Sequence, residues 1–441
     1  MLFKISTPLP KDLPLELPLP EWLLVGLLVI AFLAHIIFIN LMLGGSILTL
    51  WAQIKGLKNK EYDTFAHEIA KTITVNKSMA VVLGVAPLLC INTLYTIYFY
   101  SANALTGFVW ILIIPLVTVA FLLTYLHKFS WESLANIKRL HIAIMAAAVG
   151  VFLFIPLIFL TNVNLMMFPE KWGTVHGFLE ALVLPNVFPR YFEFLGACLT
   201  ITGLFIVGYN KRKNYPVEEI YTSFTRYDLY KLGFGVTFIG LGLQLLFGLI
   251  VVFTIPAKGL GFDVISVMLA TGITLVYAFY WTWKTLTEDQ TDILKYFTKI
   301  VVSIVVFLVL YGGNRQLYRH NALAPHQKLM AAKTKEFQKL SEEARLHPVV
   351  EVEIADTSEF GKGKTLFTKN CSSCHQEKEK LVGPPMTEMV SIYKENRDGL
   401  KAWIKAPGKK RPDYPQMPSF GSLSESDLDE LSKYILSINS K

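Results

Sequence analysis

The chain has 441 residues, of which 53% are hydrophobic and 17% are charged, and its formal net charge is +8. This apolar fraction lies outside the range of ordinary soluble domains, so the composition excludes a purely soluble protein and indicates several membrane spans. No block of Lys and Arg interleaved with aromatic residues is present, so nucleic acid is not an expected partner. Two of the four cysteines lie in apolar runs and two in one short motif, which does not suggest a disulfide framework.

Windows of about 20 apolar residues predict about eight membrane-spanning helices. The predicted fold class is all-α: a polytopic membrane helix bundle followed by a small all-α domain. Residues 1–20 are rich in proline and form a predicted extramembrane lead rather than a cleavable signal peptide. The predicted spans lie near residues 21–53, 74–100, 108–127, 142–163, 192–209, 232–256, 264–283 and 300–313.

The loops between the predicted spans differ in charge. Long basic loops follow the first, third, fifth and seventh spans, whereas the alternate loops SANALTG and IPAKGLGFD are short and poor in charge. The positive-inside rule places the basic loops in the cytoplasm, so both termini face outward. We therefore expect a multi-pass protein of the bacterial inner membrane, with both termini and the C-terminal domain on the periplasmic side.

One histidine, His35, lies in the middle of a predicted span. A heme b held by two histidines needs a facing pair at one depth, and the sequence offers no such pair. An unpaired histidine inside a membrane predicts a functional site, with a hydrogen-bonded packing histidine as the alternative. We interpret the other histidines of the membrane part and linker, including His127 and His141, as solvated surface. Gly44 and Gly45 fit either a flat cofactor or close helix packing.

The sequence becomes polar after residue 313. Residues 314–351 are a predicted linker with a helical stretch, and residues 352–441 a compact domain. This domain contains the motif CSSCH, in which two thiols one helical turn apart can add to heme vinyl groups while the imidazole reaches the iron. The motif predicts one heme c, attached covalently to Cys371 and Cys374, with His375 as an iron ligand.

The segments around the motif support this prediction. GKTLFTKN predicts an amphipathic helix that leads into the motif, VGPP supplies a proline carbonyl that can orient the His375 ring, and SESDLDELSKYILSI predicts a capped final helix. Met417 lies in YPQMPSF, about forty residues after His375, and is the predicted sixth ligand of the iron. Met386 lies too close to His375 for that role, and we interpret it as a core residue. Residues 352–441 resemble a class I cytochrome c.

The membrane part resembles a different family. The segments AHIIFINLMLGGSILTLWAQIKG, VNKSMAVVLGVAP, TNVNLMMFPEKW, PRYFEFLGACLTITGLFIVG, FDVISVMLATG and GNRQLY resemble subunit I of cytochrome bd-type quinol oxidases. The resemblance covers about residues 22–318 and depends on spacing and span order. It places His35 at the position of a histidine that ligates an active-site heme, and it implies a heme b or heme d in the membrane domain.

The sequence departs from that family at most of the other heme ligands. Met268 matches a methionine that clamps the low-spin heme b together with a histidine, but Glu193 stands at the position of that histidine. Gly312 stands where a glutamate ligates the second active-site heme in the family. Arg315 and Gln316, which follow it, are retained, so we include both in the candidate membrane heme site.

Two further departures bear on function. Asn92 stands at the position of an acid near the end of helix two, and the acid expected in helix three is also missing, which weakens the case for oxygen chemistry. The long outer loop that builds the quinol site in the family is reduced to IPAKGLGF, which is too short to form that pocket. A tethered cytochrome c domain on the same side of the membrane would take over the exchange of electrons.

The sequence thus predicts a bd oxidase-like electron-transfer subunit that exchanges electrons between a periplasmic heme c and a membrane heme site. Two other functions stay open. One is a subunit of a cytochrome c-fed oxygen reductase, and the other is a membrane anchor or relay for a periplasmic oxidoreductase, with heme c as the only cofactor. The expected partners are other membrane subunits of a respiratory complex, a soluble or periplasmic redox partner, and the lipid bilayer.

Overall fold

The computed structural model describes residues 17–288, 292–346, 360–409 and 414–438, apart from the side chains of residues 73–78 and 344. Within these ranges the chain forms α-helices and short 3-10 helices without strands, which confirms the all-α prediction. The chain divides after Glu336 into two compact units. Most of the predicted lead, the end of the predicted linker and the start of the predicted C-terminal domain lie outside the described residues.

The first unit is a bundle of long apolar helices joined by short ones. The helices are α1 (Glu21–Gly56), α2 (Lys60–Leu94), α3 (Thr96–Thr106), α4 (Phe108–Ile111), α5 (Ile113–Phe129), α6 (Lys138–Leu165), α7 (Phe178–Leu182), α8 (Val187–Asn210), α9 (Val217–Ile220), α10 (Arg226–Thr254), α11 (Phe262–Thr287) and α12 (Phe297–Leu346). The core consists of several clusters of buried apolar side chains, where α1 packs against α2, α6 and α8, and α8 packs against α10.

Seven helical segments of the described chain are long and apolar enough to cross a bilayer. An eighth candidate is the pair Met79–Leu94 and Thr96–Thr106, which crosses as one span only with a bend of 108° between its halves. The prediction of a polytopic membrane bundle is therefore confirmed, with about seven candidate spans in the described chain, or eight if the bent pair counts as one. The second predicted span is a broken helix.

The break falls at Tyr95, whose backbone angles of φ −128° and ψ 38° are not helical. The hydroxyl of Thr96 donates a hydrogen bond to the carbonyl of Asn92 (2.7 Å), and this type of bond back to the preceding turn bends helices. The bend leaves the Tyr95 side chain directed at α12, where its hydroxyl donates to Oε1 of Gln316 (3.3 Å). The break therefore brings Tyr95 into contact with a residue of the candidate membrane site.

The last predicted span, residues 300–313, is only the first part of α12. This helix runs for 50 residues without interruption, from Phe297 to Leu346. Most of the predicted linker is therefore helical, and at 1.5 Å per residue the part beyond Gly313 is about 50 Å long. The helical stretch predicted within the linker is therefore present, and it is continuous with the last span as far as Leu346.

Close packing of α1 against α8 explains one of the two glycines in the first span. A β-carbon at Gly44 would collide with the carbonyl oxygen of Cys198 and the hydroxyl of Thr202. Small residues let helix backbones approach in this way in membranes. The structure therefore supports helix packing as the role of Gly44, whereas Gly45 lines a crevice on the same face of the bundle.

The prediction that His127 and His141 are solvated surface is wrong, since their exposed fractions are 1% and 0%. Their rings stack at 4.1 Å, and Gln53 of α1 accepts from Nε2 of His127 (3.0 Å) and donates to Nδ1 of His141 (2.7 Å). Nε2 of His141 donates to the carbonyl of His127 (2.7 Å). These hydrogen bonds offset the free-energy cost of burying the two imidazoles. The position of a histidine beside a loop in the sequence does not reveal such partners. Both nitrogens of His141 are used, so neither is free to bind iron.

Beyond the end of α12, the described residues of the second unit form four short helices around one small core. Ser424 caps the last helix by accepting from the amide of Asp427 (3.1 Å), and Leu428, Leu431 and Ile435 of that helix are buried. This confirms the predicted capped, one-faced final helix and the helix that leads into the motif. The helices are α13 (Gly361–Asn370), α14 (Met386–Tyr393), α15 (Arg397–Lys405) and α16 (Glu425–Ser437).

Candidate functional site

The three residues of the CSSCH motif that carry chemistry lie on one turn at the end of α13. The amides of Cys374 and His375 both donate to the carbonyl of Cys371, at 3.0 and 2.9 Å. The chain then turns back, and the amide of Gly383 donates to the carbonyl of Cys374 (2.8 Å). The turn therefore holds two thiols and one imidazole close together, as the covalent attachment of heme requires.

The ring of His375 is oriented by the segment that follows it. Its Nδ1 lies 2.7 Å from the carbonyl oxygen of Pro384, and the hydrogen bond to a proline carbonyl that VGPP suggested is present. A carbonyl can only accept, so Nδ1 carries the proton and Nε2 of the neutral ring keeps its lone pair. A β-carbon at Gly383 would collide with Cε1 of the ring and lie 2.7 Å from Nδ1. The site thus presents an oriented nitrogen ligand on a ring that packs against Gly383 so closely that only glycine fits there.

One thiol of the motif is buried. Cys371 is 7% exposed, and burial, followed by the proximity of Cys374, raises the pKa of the Cys371 thiol to about 11. The thiolate is the nucleophile in thiol chemistry, so Cys371 itself is not poised as an attacking thiolate.

The two methionines of this unit occupy different environments. Met386 is 2% exposed and belongs to the core, as expected for a packing residue. Met417 is half-buried and packs against the same core, which also contains Cys371. The segment after Met417 is tied to the end of α15, since the amide of Phe420 donates to the carbonyl of Ile404 (3.1 Å). A soft thioether on an anchored loop fits the sixth position of a heme c iron.

In the membrane unit, His35 has the same kind of support as His375. Its Nδ1 lies 2.8 Å from the carbonyl oxygen of Ala80 on α2, so this nitrogen carries the proton and Nε2 keeps its lone pair. A β-carbon at Gly84, one turn further along α2, would lie 2.8 Å from Cε1 of the His35 ring. Histidines that ligate metals commonly donate their other nitrogen to a backbone carbonyl. His35 is therefore oriented as a ligand would be.

Glu193 joins a polar cluster with α12. Its carboxylate is 8% exposed and accepts from the hydroxyl of Tyr311 (3.1 Å). The guanidinium of Arg315, one turn after Tyr311, lies 4.8 Å from the ring centroid of Phe32, and Phe32 precedes His35 by one turn of α1. The structure thus brings Glu193 of α8 against α12, which carries Arg315, and connects that helix to the turn of α1 that carries His35.

Gln316 belongs to a neighbouring group of contacts. Its Oε1 accepts from Nη1 of Arg319 (2.9 Å) and from the hydroxyl of Tyr95. Met268 lies half-buried on α11, and none of the contacts described for the Glu193 cluster includes it. Gly312 packs against Leu33, where a β-carbon would lie 3.3 Å from Cδ2, so this position has little room for a ligating side chain.

Several supporting residues were not recognised in the sequence. No pattern in the sequence indicates the hydrogen bonds of Tyr311 and Tyr95, because a tyrosine in an apolar helix usually packs against neighbouring apolar side chains. Ala80 and Gly84 are two small residues four positions apart on one helix, a spacing that indicates a close neighbour. Gly383 lies inside the VGPP segment, and its close contact with the His375 ring follows once the position of that ring is known.

Comparison with known proteins supports the assignment of the C-terminal unit. Residues 360–439 match the family model of cytochrome c. The chain is also similar to Cytochrome c oxidase subunit 2 of Bacillus sp. (strain PS3), with 25% identity over 89 residues that cover 17% of this chain and 25% of that protein. The match thus spans about a quarter of the length of that curated relative. The chain carries a cytochrome c domain near its C-terminus, which implies a heme and a part in electron transfer.

The residues of this domain fit heme c. Cys371 and Cys374 would hold it covalently, His375 would ligate the iron through Nε2, and Met417 would supply the second axial ligand. The bound heme would supply one-electron chemistry. The chain itself orients the imidazole of His375 through the Pro384 carbonyl, and glycine at position 383 lets the ring pack against the backbone.

Proposed function

We propose that this protein is a membrane-bound electron-transfer subunit that exchanges electrons between its heme c and a heme b or d held in a bd-like helix bundle. Cys371, Cys374, His375 and Met417 would carry the heme c. His35 would ligate the membrane heme, while Glu193, Met268, Arg315 and Gln316 would contribute to its surroundings. Other membrane subunits and a soluble redox partner would complete the electron path.

One observation carries the proposal for the membrane site. His35 shares two features with His375: each ring places Nδ1 against a backbone carbonyl oxygen, at 2.8 and 2.7 Å, and each ring faces a glycine. A metal ligand needs one ring nitrogen with a free lone pair, and among the described residues neither ring makes a hydrogen bond through Nε2. By contrast, both ring nitrogens of the buried His141 are occupied by hydrogen bonds. This difference favours His35 as a ligand.

A second candidate function is a subunit of a cytochrome c-fed oxygen reductase. The similarity to Cytochrome c oxidase subunit 2 favours it, since that protein is part of an oxidase by its name. His35 also favours it, because a histidine-ligated heme with one open face can bind a small gas. The anchor or relay with heme c alone is the third possibility, and the next experiment distinguishes it from the other two.

His35→Ala is expected to abolish the carbon monoxide difference spectrum of a non-covalent heme while the heme c absorption stays unchanged. The reason is that the two sites lie in separate compact units of the chain. The measurement is the reduced-plus-carbon-monoxide minus reduced spectrum of the purified full-length protein, which should show a high-spin component in the wild type. His320→Ala, at an exposed position of α12, is the matched control and should retain the spectrum. A His35→Ala protein with its full complement of non-covalent heme would show that the ligand lies elsewhere.

We also propose that both termini face the periplasm. This follows from eight spans and basic alternate loops, so the α2–α3 pair must cross the membrane despite its bend. A reporter fused after Lys441 and one inserted before Leu13 should both be active only outside the cytoplasm. If the broken pair does not cross, seven spans remain and the two reporters would give opposite results.

A further inference from the structure

A group of arginines lies near the end of the bundle opposite the basic loops. Arg315 and Arg319 lie one turn apart on α12, and Arg190 lies on α8, one turn before Glu193. Arg190 lies within electrostatic reach of Glu193 and of both arginines of α12. Guanidinium groups are not deprotonated in proteins. The group therefore places three positive charges beside one carboxylate.

Arg319 is the most deeply buried of the three, with an exposed fraction of 3%. Its Nη1 donates to Oε1 of Gln316 (2.9 Å), and its guanidinium lies 4.9 Å from the centroid of the Tyr95 ring. Both partners are neutral, so they satisfy part of the guanidinium without compensating its charge. A buried charge without a counter-charge is costly, and proteins normally pair it. An anion is therefore expected beside Arg319.

The other two guanidinium groups also lack a paired anion among the described residues. Arg315 is partly buried, and it packs on the ring of Phe32 rather than on a carboxylate. Arg190 donates from Nε to the side-chain oxygen of Asn186 (3.0 Å) when that amide is oriented to satisfy its neighbours. Glu193 can compensate for one of the three cations. Within the described part of this group, an excess of two positive charges remains.

The position of these cations indicates which anion they serve. Arg315 packs on Phe32, which lies one turn before His35 on α1, so the cations begin close to the proposed heme ligand. A heme carries two propionate carboxylates on one edge, and their combined charge equals the excess of the group. Guanidinium groups match carboxylates in shape and bind them through pairs of parallel hydrogen bonds.

We propose that Arg315 and Arg319, assisted by Arg190, bind the propionates of the heme that His35 ligates. The guanidinium N–H groups donate to the propionate oxygens, so the arginines orient the heme and the propionates supply the missing negative charge. This assignment rests on the proposed membrane heme. It adds Arg190 and Arg319 to the candidate residues that the sequence suggested.

Transfer of the non-covalent heme from the purified full-length protein to excess apomyoglobin tests this assignment, together with a redox titration of the same heme. We expect Arg319→Gln to accelerate heme release by about 10- to 100-fold, the size of one lost charge-assisted hydrogen bond. The variant should also lower the reduction potential of this heme, because a nearby cation disfavours the more positive ferric state. The heme c absorption should stay unchanged, since it reports a separate compact unit.

Two further variants serve as controls. Arg319→Lys keeps the positive charge and should keep the reduction potential near that of the wild type, although release is faster because the paired hydrogen bonds are lost. Arg212→Gln is the matched control, since it removes another guanidinium that stacks on a tyrosine ring, that of Tyr209 (3.7 Å), in the basic loop after α8. It should change neither the rate of release nor the potential.

The outcomes distinguish this assignment from the proposed function. A wild type without extractable heme would overturn both. An extractable heme whose release and potential are unchanged in Arg319→Gln would overturn the propionate assignment alone. Faster release in both Arg319→Gln and Arg319→Lys, with the wild-type potential in both, would make Arg319 a structural residue. A wild-type potential that shifts with inorganic phosphate but not with chloride at equal ionic strength, and does not shift in Arg319→Gln, would assign the cations to a free anion instead.

Discussion

Met417→Ala is expected to leave heme covalently attached while lowering the reduction potential of the domain. The two thiols of the motif are untouched, so attachment persists. Loss of the thioether removes the axial ligand that raises the potential, and the expected decrease is on the order of 0.1–0.3 V, within the roughly 0.8 V range that axial ligands span. A redox titration followed in the heme c absorption bands measures it, together with the weak near-infrared sulfur-to-iron band of the oxidised protein.

Met386 provides the matched control, and its burial determines which substitution is suitable. Met386 is 2% exposed, so an alanine there would leave a cavity and cost about 2–5 kcal/mol. Met386→Leu conserves volume and should leave both the near-infrared band and the potential unchanged. Survival of that band in Met417→Ala would show that the sixth ligand is another residue.

Gly383→Ala is expected to disturb the heme c site directly. The new β-carbon would collide with Cε1 of His375, and the hydrogen bond from Nδ1 to Pro384 restrains the ring from moving away. We expect the ring to leave its ligating orientation, with loss of the low-spin spectrum and a decrease in stability of about 1–3 kcal/mol. The visible spectrum and the denaturant midpoint of the domain report these two effects.

Gly421→Ala is the control for this change. A β-carbon there lies 3.6 Å from its nearest neighbours, the carbonyl of Lys405 and the hydroxyl of Ser419, which is ordinary van der Waals contact. The control should keep the wild-type spectrum. An unperturbed low-spin spectrum in Gly383→Ala as well would mean that the His375 ring is not confined as the structure indicates.

The C-terminal domain was predictable because its chemistry is local in sequence. Cys371, Cys374 and His375 lie on one turn, and the Pro384 carbonyl that orients the ring is only nine residues away. The final helix was equally predictable from the sequence, since its Ser424 cap and its apolar face lie within one short segment. Short-range patterns of this kind need no knowledge of the tertiary structure.

The membrane bundle was predictable in outline but not in detail. Hydropathy located the helices, but it registers neither the break at Tyr95 nor the continuation of α12 to Leu346. Hydropathy also could not show that Gln53 of α1 satisfies two histidines 74 and 88 positions away. The Tyr311 partner of Glu193 is similarly remote, at 118 positions. Contacts across such separations depend on how helices pack, and one sequence does not encode them in any local pattern.

The pyridine hemochrome spectrum of the purified full-length protein tests the central proposal most directly, because it gives the ratio of covalent to non-covalent heme. We expect one heme c together with a b- or d-type heme that organic extraction removes, and we expect His35→Ala to lower only the extractable fraction. Heme c as the sole heme of the wild type would contradict the proposed function, since His35 would then be a packing residue and the bundle an anchor for the cytochrome c domain.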